Sequence, residues 1–174
     1  MEADICDMLS RGDINQTAYG EQTASKIHEL TGEHWDEFFK SVRSVIEELM
    51  SSAKGFGETT VHLRAWASKL SRDGHYDRQR FQLSALHNHV PAFLSAIYYL
   101  RLSEQGKSTD DGTFFVNPFM HPLASPQPGV VIAPQEGSLV IFPSSIMHGP
   151  LRMSYAKTNA PRIIVAVDAH LVPR

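Results

Sequence analysis

Apolar residues recur at three- and four-residue steps through Trp35, Phe38, Phe39, Val42, Val45, Ile46 and Leu49, the spacing of one face of an α-helix. The pattern predicts a helix from about Glu33 to Ser52. Glu33, Asp36 and Glu37 stand in its first turns, where the helix dipole favours negative charge, and Gly55 and Gly57 stop it. A shorter helix is expected over Ala24 to Leu30, with Thr23 as its cap. Residues up to about Gly20 show no sustained period and read as a loosely held lead-in.

After Gly57 the texture changes to short β-branched and aromatic runs separated by turn residues. Strands are predicted over Thr60 to Ala67, Arg80 to His87, Phe93 to Leu102, Thr113 to Val116, Val130 to Ala133, Ser138 to Phe142 and Arg162 to Leu171. Pro118 to Pro128, with four prolines, reads as an irregular loop able to border a site. Helices followed by many strands imply a mainly β, α+β architecture, a closed or double-layer β structure with helices on one side. The length of 174 residues suits a single domain: lead-in 1–20, helical buttress 23–54 and β core 58–171.

Composition narrows the class. Hydrophobic residues at 42% and charged residues at 20% are globular values. A formal charge of -3 gives no broad basic field for nucleic acid. Cys6 is the only cysteine, which excludes an intrachain disulfide and any thiolate-built metal site. No stretch approaches the ~18 apolar residues of a membrane span, and the first residues lack a secretory signal, so a soluble cytoplasmic protein is expected. Nothing in the pattern bears on oligomeric state.

The chemistry concentrates in four residues. His87 and His89, one residue apart, would point to one face of a strand and so can share a metal. His148 follows the apolar run Ser138 to Phe142, and Arg162 opens the last strand. Three imidazoles suit iron(II), zinc, copper or nickel. His148 before a glycine also fits a hydrogen-bonded turn histidine, and Arg162 also fits a surface ion pair. Parity favours the functional reading of the arginine. It shares a face with Ile164 and Ala166 while Ile163, Val165 and Val167 line the other, so both faces are covered and a guanidinium there needs an anionic partner. A dicarboxylate would serve through bidentate hydrogen bonds.

The run Leu86-His87-Asn88-His89-Val90-Pro91-Ala92 to Leu100, then Glu136-Gly137-Ser138 to His148-Gly149, then Pro161-Arg162-Ile163 to Val167, resembles the iron(II)- and 2-oxoglutarate-dependent oxygenases. More narrowly it is similar to a bacterial branch with a His-x-His-Pro-like segment leading into a Tyr-Tyr-Leu strand. The similarity covers roughly Trp66 to Val167. It implies a double-stranded β-helix, a jelly-roll or cupin-like barrel, with His87, His89 and His148 as metal ligands. It also implies that Arg162 pairs with the distal carboxylate of 2-oxoglutarate and that Tyr99 hydrogen-bonds the same group. Tyr98 is expected to be a core aromatic. The implied reaction hydroxylates an unidentified small-molecule or amino-acid-type substrate using Fe(II), 2-oxoglutarate and O2.

Two departures from that family's pattern stand out. His89 occupies a place where most of the superfamily has a carboxylate, and Ile164 stands where many members have a polar residue two after the arginine. The rival readings are a cupin-like metal or small-molecule binding module and a catalytically degenerate oxygenase fold. A cupin would carry a glutamate shortly after the histidine pair, and Val90 to Leu94 offers none. His28, His34, His62 and His170 are expected to be structural or solvent-facing; His121 would touch substrate if the proline-rich loop caps the pocket, and Gln82 fits a sheet-surface residue as well as a ligand contact.

Overall fold

In a computed structural model of the chain, the described residues are 1–12, 14–17, 20–24, 26–52, 59–70, 86–102, 112–118, 129–150 and 162–173. They form α1 (Glu2–Ser10), β1 (Ile14–Thr17), β2 (Gly20–Thr23), a 3-10 turn at Ile27–Glu29, α2 (Glu33–Ser52) and β3 (Thr59–Leu70). Six further strands follow: β4 (Leu94–Arg101), β5 (Thr113–Val116), β6 (Gly129–Ile132), β7 (Leu139–Pro143), β8 (His148–Pro150) and β9 (Arg162–Pro173). The described residues are mainly β, with antiparallel sheets and two α-helices. A six-stranded sheet has the order β1-β2-β3-β9-β4-β7, and a three-stranded sheet the order β6-β5-β8. Among the described residues the two sheets do not close into a barrel.

The pair β3 and β9 is the spine of the larger sheet, in continuous register from Thr59↔Pro173 to Leu70↔Arg162. One face of it is built for a helix. Val61, Leu63, Ala65 and Ala67 of β3 and Ile163, Val165, Val167 and Ala169 of β9 pack with Trp35, Val42, Ile46 and Met50 of α2 in one buried cluster. The small alanines let the helix approach the sheet closely. Arg43 of α2 adds a hydrogen bond to the Val61 carbonyl. Tyr98 joins this cluster, its ring 5.1 Å from that of Phe38.

The α2 boundaries agree with the periodicity, but the buried stripe is narrower than its apolar residues. Val45 and Leu49 are 41% and 48% exposed, and Met50 is buried in their stead. The steps Val42, Ile46, Met50 keep one line on the helix, and Val45 and Leu49 fall on its flank.

Three expectations for the first 30 residues are overturned. The lead-in forms α1, whose Ile5 and Leu9 enter the helix–sheet cluster and whose Asp4 accepts a 2.8 Å hydrogen bond from the Trp35 indole. That contact, with the N-terminal amine, holds the Asp4 carboxyl below its usual range. The helix expected over Ala24 to Leu30 shrinks to the single 3-10 turn. Thr23 is no cap: it ends β2, fully buried, and its hydroxyl accepts from the Ala67 amide at 3.0 Å. His28 accepts similarly from the Ala65 amide at 3.2 Å, so two side chains satisfy β3 donors beyond the last β2–β3 backbone pair, Gln22↔Ser68.

The strand predictions from Thr60 onward match β3 to β7 and β9 to within a few residues. Residues 71–85 lie outside the described residues, and with them Gln82 and most of the strand predicted over Arg80 to His87. His121 and the proline-rich loop beyond Pro118 lie outside them too. No helix among the described residues is long and apolar enough to cross a membrane.

If the α2 face is the main anchor of the sheet, Ile46→Ala should lower unfolding free energy by about 2–5 kcal/mol, and Val45→Ala by no more than ~0.5 kcal/mol. Urea denaturation followed by circular dichroism measures both.

Candidate metal centre

The opposite face of β9 turns toward the smaller sheet and carries the polar residues. Arg162, Ile164 and Ala166 line a cavity of about 250 Å³ between the sheets, with Trp66 and Ser68 of β3, Ile97 of β4, Thr113 of β5 and His148 of β8. His87 and His89 complete the wall.

His87 and His148 are brought together by the backbone. Each donates its amide to the other's carbonyl at 2.9 Å, forming an isolated antiparallel bridge. His89 lies outside any strand, contrary to the expected His-x-His strand end. Its amide donates to the Ser144 carbonyl at 2.9 Å, and its own carbonyl accepts from Ala92 at 2.9 Å. The rings of His87 and His89 nevertheless share the cavity, 5.0 Å apart, and lie 4.7 and 5.0 Å from the His148 ring. One nitrogen from each of the three lies within 4.8 Å of the other two.

Two of the rings have a fixed tautomer. Nδ1 of His148 donates to the Ile146 carbonyl at 3.0 Å, and Nδ1 of His89 donates to Asp168 Oδ1 at 2.7 Å, because neither oxygen partner can be the donor. Nε2 therefore carries the free lone pair in both. Three nitrogens bound to one ion at about 2.1 Å lie roughly 3.0–3.6 Å from one another, so side-chain adjustments of about an ångström would close the set. The donors fit a transition ion such as iron(II).

His87 is exposed, His89 half-buried and His148 3% exposed. His148 sits between Phe142, whose ring is 4.6 Å away, and Phe115 at 5.7 Å. Burial, reinforced by His87 and His89, pushes His148 down from 6.5 to about 4 against the opposing pull of the Ile146 carbonyl.

Arg162 lies deeper, 1% exposed. Its Nη2 is 3.5 Å from Thr113 Oγ1, and the same oxygen is 2.6 Å from the Tyr99 hydroxyl. The guanidinium carbon sits 5.3 Å from the centre of the Tyr99 ring, within cation–π range. Tyr99 is fully buried. Ser95, Ile97 and Tyr99 alternate onto one face of β4, whereas Phe93 precedes β4 and packs in the helix–sheet cluster.

Four neighbours of the site were not anticipated. Asp168 accepts from Ser95 Oγ at 2.7 Å as well as from His89. Trp66 lies 5.2 Å from the His89 ring, and Thr113 links Tyr99 to Arg162. Parity could have found Asp168, since it continues the series Arg162, Ile164, Ala166 along the same face and is a carboxylate within an otherwise apolar strand.

Residues 64–168 match the family described as "Putative 2OG-Fe(II) oxygenase", and the chain belongs to that 2-oxoglutarate and iron(II) oxygenase family. The matched span includes all three histidines and Arg162. Among solved structures, an oxidoreductase of the 2OG-Fe(II) oxygenase family from Burkholderia pseudomallei is similar over 91% of this chain and 63% of its own, at 13% identity and a TM-score of 0.44. Protein NMB1881 from Neisseria meningitidis is similar over 70% of this chain and 93% of its own, at 13% identity and a TM-score of 0.34. A search of curated proteins finds no match.

Between pH 6.5 and about 4 the unfolded chain binds a proton at His148 that the folded chain refuses, so stability is full above 6.5 and falls as pH drops through that window. The metal-free protein should lose about 3 kcal/mol from this residue. Urea midpoints at pH 7 and pH 4.5 should therefore separate more for the wild type than for His148→Gln.

Proposed function

We propose that the protein is an iron(II)- and 2-oxoglutarate-dependent dioxygenase in which His87, His89 and His148 hold the metal and Arg162 binds the cosubstrate. The observation that carries this reading is a three-imidazole cluster and a buried arginine in one cavity. A plain metal-binding module has no use for the arginine. In this reading the two sheets are the halves of a double-stranded β-helix, with α1 and α2 covering the larger one.

Bound iron would supply the activation of O2 that lets 2-oxoglutarate be oxidised and a substrate C–H bond hydroxylated. The chain's own residues do the rest. Arg162 receives the distal carboxylate of 2-oxoglutarate, because a buried guanidinium favours an anion that can accept two parallel hydrogen bonds. Thr113 and Tyr99 fix the guanidinium plane from one side, and the Tyr99 hydroxyl, hydrogen-bonded to Thr113, is a second group for the same carboxylate. Ile164 and Ala166 form an apolar floor between Arg162 and the histidines, which excludes water from the cosubstrate chain.

Exposed His87 marks the open side of the cavity, from which the substrate approaches. The space fits a small molecule or an amino-acid-type side chain. Trp66 and Ser68 flank that approach and offer one flat apolar surface and one hydroxyl for recognition.

The decisive experiment is an anaerobic titration with iron(II) and then 2-oxoglutarate, watching for the visible metal-to-ligand charge-transfer band. The band should appear in the wild type and be lost in His87→Ala and His148→Ala together with metal binding; full iron occupancy in either variant would defeat the ligand assignment. Arg162→Ala should weaken 2-oxoglutarate by about 2–5 kcal/mol, much more than it weakens iron binding, read by calorimetry. Unchanged cosubstrate affinity would reject the arginine's role.

A further inference from the structure

The ligand set proposed above has no carboxylate, yet one stands a ring's width behind it. Asp168 is 9% exposed on β9, held in register between Arg64 of β3 and Ser95 of β4. Its Oδ1 takes two hydrogen bonds, from His89 Nδ1 and from Ser95 Oγ, both 2.7 Å. A carboxylate placed this deep costs solvation free energy unless charge-assisted partners offset it.

We propose that Asp168 is a positioning residue for the metal. It holds the His89 ring with Nε2 toward the cavity and transmits through the imidazole the negative charge that three histidines lack. The role rests on the metal reading above. The physical basis is that a carboxylate accepting the Nδ1 proton raises the electron density at Nε2 and so strengthens its bond to a cation. Ser95 completes the arrangement by occupying a second lone pair of the same oxygen, which stops the carboxylate from rotating away from His89. A purely structural hydrogen bond would give the same contacts, so charge must be separated from shape.

Asp168→Asn makes that separation, because the amide oxygen can accept from both His89 and Ser95 while the charge is removed. Anaerobic titration with Co(II), whose visible bands report ligation, should give an affinity about 10–100-fold weaker than wild type. The Fe(III)/Fe(II) potential of the iron-loaded variant should move in the positive direction, and Ser95→Ala should lose less Co(II) affinity than Asp168→Asn. Equal affinities of wild type and Asp168→Asn overturn the role of Asp168 alone. An equal loss in both variants assigns the effect to hydrogen bonding and overturns the charge argument. Failure of the wild type to bind Co(II) overturns the three-histidine site and this role with it.

Should Asp168→Asn fail to fold, the wild type still decides: nitrogen-15 correlation spectra of its histidines should show His89 as the Nδ1–H tautomer with a strongly downfield proton. An Nε2–H tautomer overturns the proposal.

Discussion

Alternation along β9 divides one strand between stability and chemistry. Ile163, Val165, Val167 and Ala169, each 0–1% exposed, go to the helix-covered face. Arg162, Ile164, Ala166 and Asp168 face the other sheet. A slip of one residue would exchange the two sets, burying a guanidinium and a carboxylate under α2. The continuous twelve-residue register with β3 and the apolar cluster on its far side hold that slip off. Core packing therefore fixes where both charged groups stand, and neither needs a contact of its own to find its place.

The same strand sets charges of opposite sign on either side of the apolar pair Ile164 and Ala166, Arg162 lining the cavity and Asp168 standing behind His89. Arg162 lies deep, with Thr113 and Tyr99 beside it. Asp168 lies six residues further along, with His89 and Ser95 as its partners, and Ile164 and Ala166 separate the pair. Ala166 is small and faces Trp66 across the β3 register, which leaves room for the indole to lie against His89. Apolar residues between two buried charges keep the local dielectric low, so each acts strongly on what lies next to it.

Much of this was legible because it is periodic. A 3.6-residue pattern gives α2 its bounds, and the two-residue alternation around Arg162 gives the division of β9. Short or polar elements carry no such signal: α1, the β1–β2 hairpin and β8, a His-Gly-Pro strand, are held by tertiary partners. The capping of β3 donors by Thr23 and His28 joins residues some 40 apart in sequence, which a local window does not see. The convergence of the histidines depends on a bridge between His87 and His148 across sixty residues. Their shared chemistry was legible in residue type, whereas their geometry is a product of the fold. Asp168 shares the readable parity of Arg162, but its place behind His89 depends on the pairing of β9 with β4, which no local pattern shows.

Under the proposed reading, where that carboxylate sits matters for what the cavity binds. A carboxylate in direct contact with a divalent ion would cancel half its charge at the metal. Moved behind an imidazole, it still orients the ligand and enriches the nitrogen, but at greater distance it offsets less of the cation's field in the open half of the cavity. An anionic keto acid entering there meets a more positive ion at one end and a buried guanidinium at the other. Both ends attract negative charge, and the apolar floor between them admits a short carbon chain. An all-histidine set backed by Asp168 is in this way compatible with tight chelation of a dicarboxylate even though Ile164 leaves Arg162 without a polar neighbour two residues on.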